Sequence, residues 1–269
     1  MCHFNGPEGK KKRDILKRDQ IERALDMAGE PAEITFAGTG EFLVDENAVD
    51  YMRMCADKGH KPALLTNGQL LTPGLMDEML SIGTRQFFIS VDAIDAKTYS
   101  RVRRGGKFEK ILSACAHLRE RQSLYPDIRV QVSHIMFAPP QTVADEIVNF
   151  WRDKVDVLLL RAEYYDNLFF RNTFYPIPRD RCHCPLSLTL TPSGHISPCC
   201  AMTLLQHMYR FPWMPHIDTH TLDEASTLLT DMYNAKGSKF NHICQKCQWW
   251  IMFYHRPNIG SPYSRTYMF

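Results

Sequence analysis

No stretch of this chain approaches the ~20 consecutive apolar residues that a membrane-spanning helix requires, so no span is expected. The opening residues, Met1-Cys2-His3-Phe4-Asn5-Gly6, hold neither the charged nor the apolar region of an export signal, which makes a cytoplasmic, reducing compartment the expectation. Charge of one sign is scarce in excess. A formal net charge of +2 over 269 residues gives no electrostatic footprint for nucleic acid, and no membrane surface is implied. The one basic run, Lys10-Lys11-Lys12-Arg13, reads as a solvated loop before a helix. There is no internal repeat and no low-complexity segment. Nine cysteines, an odd number, fit a disulfide framework badly. What remains is ordinary globular composition, 44% hydrophobic and 23% charged, in a length that holds one large domain with at most a small appendage.

Up to about Glu163 the chain alternates short apolar runs with helix-patterned segments. The strand candidates are Glu33–Ala37, Pro62–Thr66, Gln86–Val91, Ile128–Phe137 and Val155–Arg161. Between them, Ala48, Tyr51, Met52 and Cys55 form an i, i+3, i+4, i+7 stripe, as do Phe108, Ile111, Leu112 and Cys115. Ile21, Ala24, Leu25 and Ala28 form another, after Asp19 and Glu22, which fit a capping box. Strand–helix alternation of this kind calls for a parallel sheet with right-handed crossovers. The nearly all-apolar runs predict strands covered on both faces, in an open doubly wound sheet or a barrel. Five units are too few for a closed eight-fold barrel. Residues 164–183 read as a linker or packing arm. Ser187–Thr191 and His195–Pro198 then form a hairpin around Pro192-Ser193-Gly194, and a helix follows with Ala225, Leu228, Leu229 and Met232 on one face.

That hairpin brings Cys184 and Cys199 together, and Cys244 and Cys247 form a CxxC further on. Four thiolates so arranged hold either tetrahedral zinc or an iron–sulfur cluster, and the spacing alone does not name the metal. Cys182 and Cys200 flank the candidates, but the spacing about Gly194 favours Cys184 and Cys199.

Three further motifs sit at carboxyl ends of expected strands, the edge that carries ligands in parallel α/β folds. Phe36-Ala37-Gly38-Thr39-Gly40-Glu41 lets backbone groups approach a ligand closely, and the Glu41 carboxylate suits an ammonium group. Thr66-Asn67-Gly68 and Ser90-Val91-Asp92 offer hydrogen-bonding groups for ribose hydroxyls or an amino-acid moiety. Capping of the following helices is the competing role, one that Thr72 and Asp95 could fill instead.

Together these residues resemble the radical S-adenosylmethionine (radical SAM) enzymes, over residues 1 to about 255. The Gly38–Glu41 turn is similar to the family's glycine-glycine-glutamate motif, Thr66-Asn67-Gly68 to its third-strand motif, and Ser90-Val91-Asp92 with Tyr99, Arg103-Arg104-Gly105 and Phe108 to its fourth strand and following helix. The CX9GX4C and lone CxxC resemble the SPASM/Twitch auxiliary iron–sulfur domain in its single-cluster form. The family's catalytic CxxxCxxC is present only as Met1-Cys2, with Cys2 matching the third cysteine. The resemblance therefore implies a chain truncated at its N-terminus within that motif, able to hold the catalytic [4Fe-4S] cluster only with the missing residues restored.

The fold implied is α/β: a partial (β/α)6 TIM-like barrel lacking its first strand over residues 1–165, a linker over 166–181, a small α+β cysteine-rich auxiliary-cluster domain over 182–255 and a C-terminal tail over 256–269. The activity implied is abstraction of a substrate hydrogen by a 5′-deoxyadenosyl radical, in an oxidoreductase or maturase acting on a small molecule or peptide. A donor such as flavodoxin or ferredoxin would supply electrons. S-adenosyl-L-methionine would be held by Gly38, Thr39, Gly40, Glu41, Thr66, Asn67, Ser90 and Asp92, with Ser133 and Arg161 at the same mouth. Cys2 would be the surviving catalytic-cluster ligand, and Cys184, Cys199, Cys244 and Cys247 would hold an auxiliary [4Fe-4S] cluster. The competing expectations are a zinc-binding, non-enzymatic α/β binding protein and a degenerate radical SAM homologue without catalysis.

Overall fold

The apolar runs become five parallel strands, β1 (Glu33–Phe36), β2 (Lys61–Thr66), β3 (Gln86–Ser90), β4 (Arg129–Met136) and β5 (Val157–Ala162), each within two residues of its expected bounds. The computed structural model describes residues 15–38, 40–136, 141–162, 188–198, 211–234 and 264–268. Strand order follows chain order from β1 to β5. Crossovers of one hand between sequential neighbours place the helices on one side of the sheet. An order without reversal is singly wound, so the barrel-like alternative holds rather than the doubly wound one.

Helices α2 (Ala48–Asp57), α3 (Pro73–Ile82), α4 (Ala96–Val102), α5 (Phe108–Arg121) and α6 (Gln141–Trp151) alternate with these strands. Thr72 and Asp95 do cap α3 and α4, their side chains accepting from the Leu75 amide at 3.3 Å and the Thr98 amide at 2.8 Å. That leaves the Thr66–Gly68 and Ser90–Asp92 turns unused as helix caps.

Residues paired across neighbouring parallel strands share a face. The face holding Leu64, Phe87, Ile89, Val132, Leu158 and Leu160 is fully buried. On the opposite face Leu65 is exposed, and Phe88, Ser90, Ser133 and Leu159 are only half-buried. Coverage of both faces was the sequence expectation. Among the described residues only one face is closed, because all the crossovers lie on that side. Residues 264–268, expected in a C-terminal tail, instead form β8 (Ser264–Met268), antiparallel to β5 at the sheet's edge.

The described residues divide into two compact units, one of residues 30–162 with 264–268 and the other of residues 15–29, 188–198 and 211–234. The second unit contains α1 (Arg18–Met27), the expected hairpin as β6 (Thr189–Leu190) with β7 (Ile196–Ser197), and α7 (Leu222–Asn234). Its core is Ile196, Met214, Ile217, Ala225 and Leu229, with Ala24 and Met27 of α1 packed against it. Arg23 and Gln20 both donate to the Asp218 carboxylate, at 2.8 and 3.1 Å. Helix α1 therefore belongs to the hairpin unit and not with the parallel sheet. It also starts earlier than the capping box of Asp19 and Glu22 suggests: Lys17 is the N-cap, and its amide donates to Gln20 Oε1 at 3.1 Å. Gly194 turns the hairpin at φ +79°, where a Cβ would stand 2.5 Å from His216 Nε2, so glycine is required there on both counts.

Candidate active site

Glu41 ends the turn after β1 and caps a single 3-10 turn over Phe42–Val44, accepting from the Leu43 amide at 3.4 Å. Its carboxylate also crosses to the next strand. Oε1 accepts from Thr66 Oγ1 and Oε2 from the Asn67 amide, both at 2.7 Å. Thr66 Oγ1 in turn accepts from the Gly68 amide at 3.0 Å. The glycine turn and the Thr66–Gly68 turn are thus fastened side by side at the carboxyl edge of β1 and β2. Within the glycine turn, a Cβ at Gly38 would meet the Gly40 carbonyl oxygen at 3.0 Å. Small residues keep this backbone uncovered.

The Thr66 hydroxyl has a structural role in this arrangement. Thr66 lies on the helix-covered face, 3% exposed, and its oxygen is shared between Glu41 and Gly68. The Glu41 carboxylate is likewise engaged across the strands, and the Asn67 side chain accepts from the Gln69 amide at 2.9 Å.

Ser90 and Ser133 are register partners on β3 and β4, on the half-open face. The register therefore sets two serines, with 42 residues between them in the chain, side by side on one face of the sheet. The backbone of Arg161 pairs with Ile135 on the neighbouring strand. Asp92 is placed differently from the mouth-facing role expected of it. It is 6% exposed, with Oδ1 accepting from the Ile135 amide at 2.9 Å and Oδ2 from Arg103 Nε at 2.9 Å and from Arg103 Nη2. A carboxylate with this many charge-assisted and backbone donors is already satisfied. Beside it His134 is buried at 4% exposure with no partner for Nδ1, and burial pulls its pKa down to about 4.

Two residues that the motif reading undervalued connect these turns. Gln69 accepts from the Lys107 amide at 2.7 Å and donates to the Tyr99 hydroxyl at 2.9 Å. Burial of Tyr99 raises its pKa. Arg103, named in the sequence only as part of the segment after β3, supplies the cation that the buried Asp92 needs, and that need is the signal by which its role could have been found.

Cys2, Thr39, Cys182, Cys184, Cys199, Cys200, Cys244 and Cys247 lie outside the described residues. Among the described residues no group of three or more His, Cys, Asp or Glu side chains is placed to hold a metal. Cys55 and Cys115 are core thiols whose burial pushes the pKa up to about 12, so neither is a ready thiolate ligand. No described helix is long and apolar enough to cross a membrane.

The family model for the Radical SAM superfamily matches residues 1–152, more than half of the chain. The AdoMet-dependent heme synthase of Methanosarcina barkeri (strain Fusaro / DSM 804) is 29% identical over 107 residues, which span 39% of this chain and 31% of that protein. The match thus extends over less than a third of that relative's length. Among solved structures, BtrN in complex with AdoMet and 2-DOIA aligns at a TM-score of 0.49 and 15% identity, over 84% of this chain and 72% of that one. Streptococcus suis SuiB bound to S-adenosylmethionine aligns at 0.45 and 15%, over 62% and 37%. Coproporphyrinogen III oxidase (HemN) from Escherichia coli aligns at 0.45 and 13%, over 61% and 42%.

Proposed function

The chain belongs to the Radical SAM superfamily, and from that premise we propose that it is an enzyme that binds S-adenosyl-L-methionine at the carboxyl edge of β1 to β4 and removes a hydrogen atom from a small-molecule or peptide substrate. Membership implies S-adenosylmethionine and a [4Fe-4S] cluster. When bound and supplied with an electron, that pair provides the homolytic chemistry; the protein supplies placement and exclusion of water.

One observation carries this reading: Glu41 binds both Thr66 and Asn67, which holds the small-residue turn of β1 beside the turn of β2. The uncovered backbone of Gly38 and Gly40 suits the ammonium group of the methionine end, and Thr39 is assigned to the same turn by its place in the motif. The Ser90–Ser133 pair on the half-open face suits ribose hydroxyls or a carboxylate. In this account Glu41, Thr66 and Asp92 build the walls of the site, while Gly38, Thr39, Gly40, Asn67 and Ser90 meet the cofactor. Arg161 and Ser133 belong to the same mouth. Cys2 would contribute to the catalytic cluster.

Cys184, Cys199, Cys244 and Cys247 are assigned an auxiliary [4Fe-4S] cluster of SPASM/Twitch type. Four protein thiolates leave no open iron, which favours an electron-transfer role in a net oxidation. A flavodoxin- or ferredoxin-like donor and a reducing, cytoplasmic setting complete the proposal.

Equilibrium dialysis of the anaerobically purified chain against S-adenosylmethionine tests the cofactor site, and release of 5′-deoxyadenosine under strong reductant, from a chain carrying the two further cysteines of the CxxxCxxC ahead of Cys2, tests the chemistry. Saturable binding is the expected result, and its absence overturns the reading. Iron and sulfide analysis after reconstitution tests the cysteine set: about four of each for one [4Fe-4S] centre, against one zinc and no iron.

A further inference from the structure

We propose that Arg103 is a positioning residue of this site, which fixes the turns after β2 and β3 relative to each other through a strap formed by residues 103–107. The proposal rests on the reading that these two turns meet S-adenosylmethionine.

One end of the strap is the Asp92 contact. Asp92 sits at φ +65°, a left-handed conformation that aspartate reaches more readily than most residues but still at some cost, held by what its carboxylate binds. Arg103 holds it with two donors of its guanidinium fork, and the same carboxylate accepts from the Ile135 amide at 2.9 Å. Ile135 lies beyond the last paired residues of β3 and β4, Ser90 and Ser133. The Arg103–Asp92 pair therefore sets how far the two strand ends part, and with them the two serines.

Gln69, in the turn after β2, holds the other end. Its side chain accepts from the Lys107 amide at 2.7 Å and donates to the Lys107 carbonyl at 3.1 Å, and its own carbonyl accepts from Lys110 Nζ at 3.0 Å. Between the ends the chain has no slack. The Arg103 amide donates to Tyr99 O at 2.7 Å, the Gly106 amide donates to Arg103 O at 3.0 Å, and a Cβ at Gly106 would stand 2.7 Å from Tyr99 Cε1. A buried ion pair that served stability alone would need only the Asp92 contact. Here the residues that hold Asp92 are continuous with those that hold Gln69.

The test compares the whole chain with Arg103→Lys, Arg103→Ala, Gln69→Ala and the double variant Arg103→Ala/Gln69→Ala. Lysine keeps the charge and loses the fork, so the pair is weakened with the least risk to folding. Hydrogen exchange is read in residues 67–70 and 133–136, S-adenosylmethionine affinity by equilibrium dialysis, and the melting temperature alongside. The expected result for Arg103→Lys is faster exchange in both segments and affinity weakened about tenfold. The double variant should bind within about twofold of the weaker single variant, because both substitutions release one strap. Faster exchange confined to 133–136, or unchanged affinity with a lowered melting temperature, overturns the proposal. Failure of the unsubstituted chain to bind S-adenosylmethionine overturns the cofactor reading instead. The exchange pattern then still upholds or overturns the strap.

Discussion

Glu41 and Asn67 are joined by a 2.7 Å hydrogen bond from the Asn67 amide to Glu41 Oε2, although 25 residues and a whole helix lie between them. The bond ties the turn after β1 to the turn after β2, beyond the last ladder pair of Phe36 with Leu64. Glu41→Ala should therefore leave the Asn67 amide and the Thr66 hydroxyl without their acceptor and cost about 2 kcal/mol of stability. Urea unfolding measures that loss. Glu41→Gln keeps one acceptor oxygen and should recover roughly half of it. Equal stability of Glu41→Ala and the unsubstituted chain would show that the bond is not an anchor.

Gly68 makes a sharper steric prediction. Its φ is +75°, and a Cβ there would stand 2.6 Å from Ile111 Cδ1 and 3.2 Å from Ile89 Cγ2. Gly68→Ala combines backbone strain with overpacking of the sheet against α5, so a loss of about 2–3 kcal/mol is expected. Gly74, in the first turn of α3, has nothing within 4 Å of the same position. Gly74→Ala should instead gain about 0.5 kcal/mol. Opposite shifts in denaturation midpoint for these two substitutions are the expected outcome.

The strands were legible because Phe87-Phe88-Ile89 and Val157-Leu158-Leu159-Leu160 are short, apolar and bounded by turn residues. The three ligand-edge motifs were legible for the same reason, each falling where such a run ends. Which way Thr66 and Asp92 point was not. Thr66 shares a face with Leu64 and Ile89, and Asp92 finds its cation eleven residues later; both are facts of packing between elements rather than of local pattern. Helix α1 shows the same limit. Its periodicity predicts a helix, but not that Arg23 and Gln20 would meet Asp218 in the hairpin unit.

His134 gives the chain a defined acid sensitivity. Burial lowers its folded-state pKa to about 4, below the unfolded value of 6.5, with the Asp92 carboxylate opposing that shift and the Arg103 guanidinium adding to it. Above pH 6.5 both states hold the ring neutral and no stability is lost through it. Between pH 6.5 and about 4 the unfolded state takes up the proton and the folded state does not, so stability falls as pH falls. At pH 5 this amounts to about 2 kcal/mol. Urea midpoints at pH 7 and pH 5 should therefore differ less for His134→Leu than for the unsubstituted chain. An identical pH dependence in the two proteins would assign the acid sensitivity to other groups.

Native thiol chemistry tests the burial of the two described cysteines. Cys55 and Cys115 are buried and their pKa values are pushed up to about 12, so the nucleophilic thiolate is scarce at neutral pH. Iodoacetamide at pH 8 should leave both unmodified in the native chain and label both in denaturant, read by peptide mass mapping. Rapid native labelling of either one would contradict its burial.

The last strand offers a test of what closes the sheet. β5 is bordered on one side by β4 and on the other by β8, which pairs Val157 with Met268 through Arg161 with Ser264. Removing residues 264–269 would turn the apolar run Val157-Leu158-Leu159-Leu160 into an unpaired edge with free amides and carbonyls. Such an edge is a template for pairing with another chain. The shortened protein should therefore self-associate, seen by light scattering during concentration, and should unfold at lower urea than the full chain. Thr266→Pro provides a milder version, because proline within the strand limits pairing without shortening the chain. If both variants stay monodisperse with unchanged midpoints, β8 contributes no protection to β5.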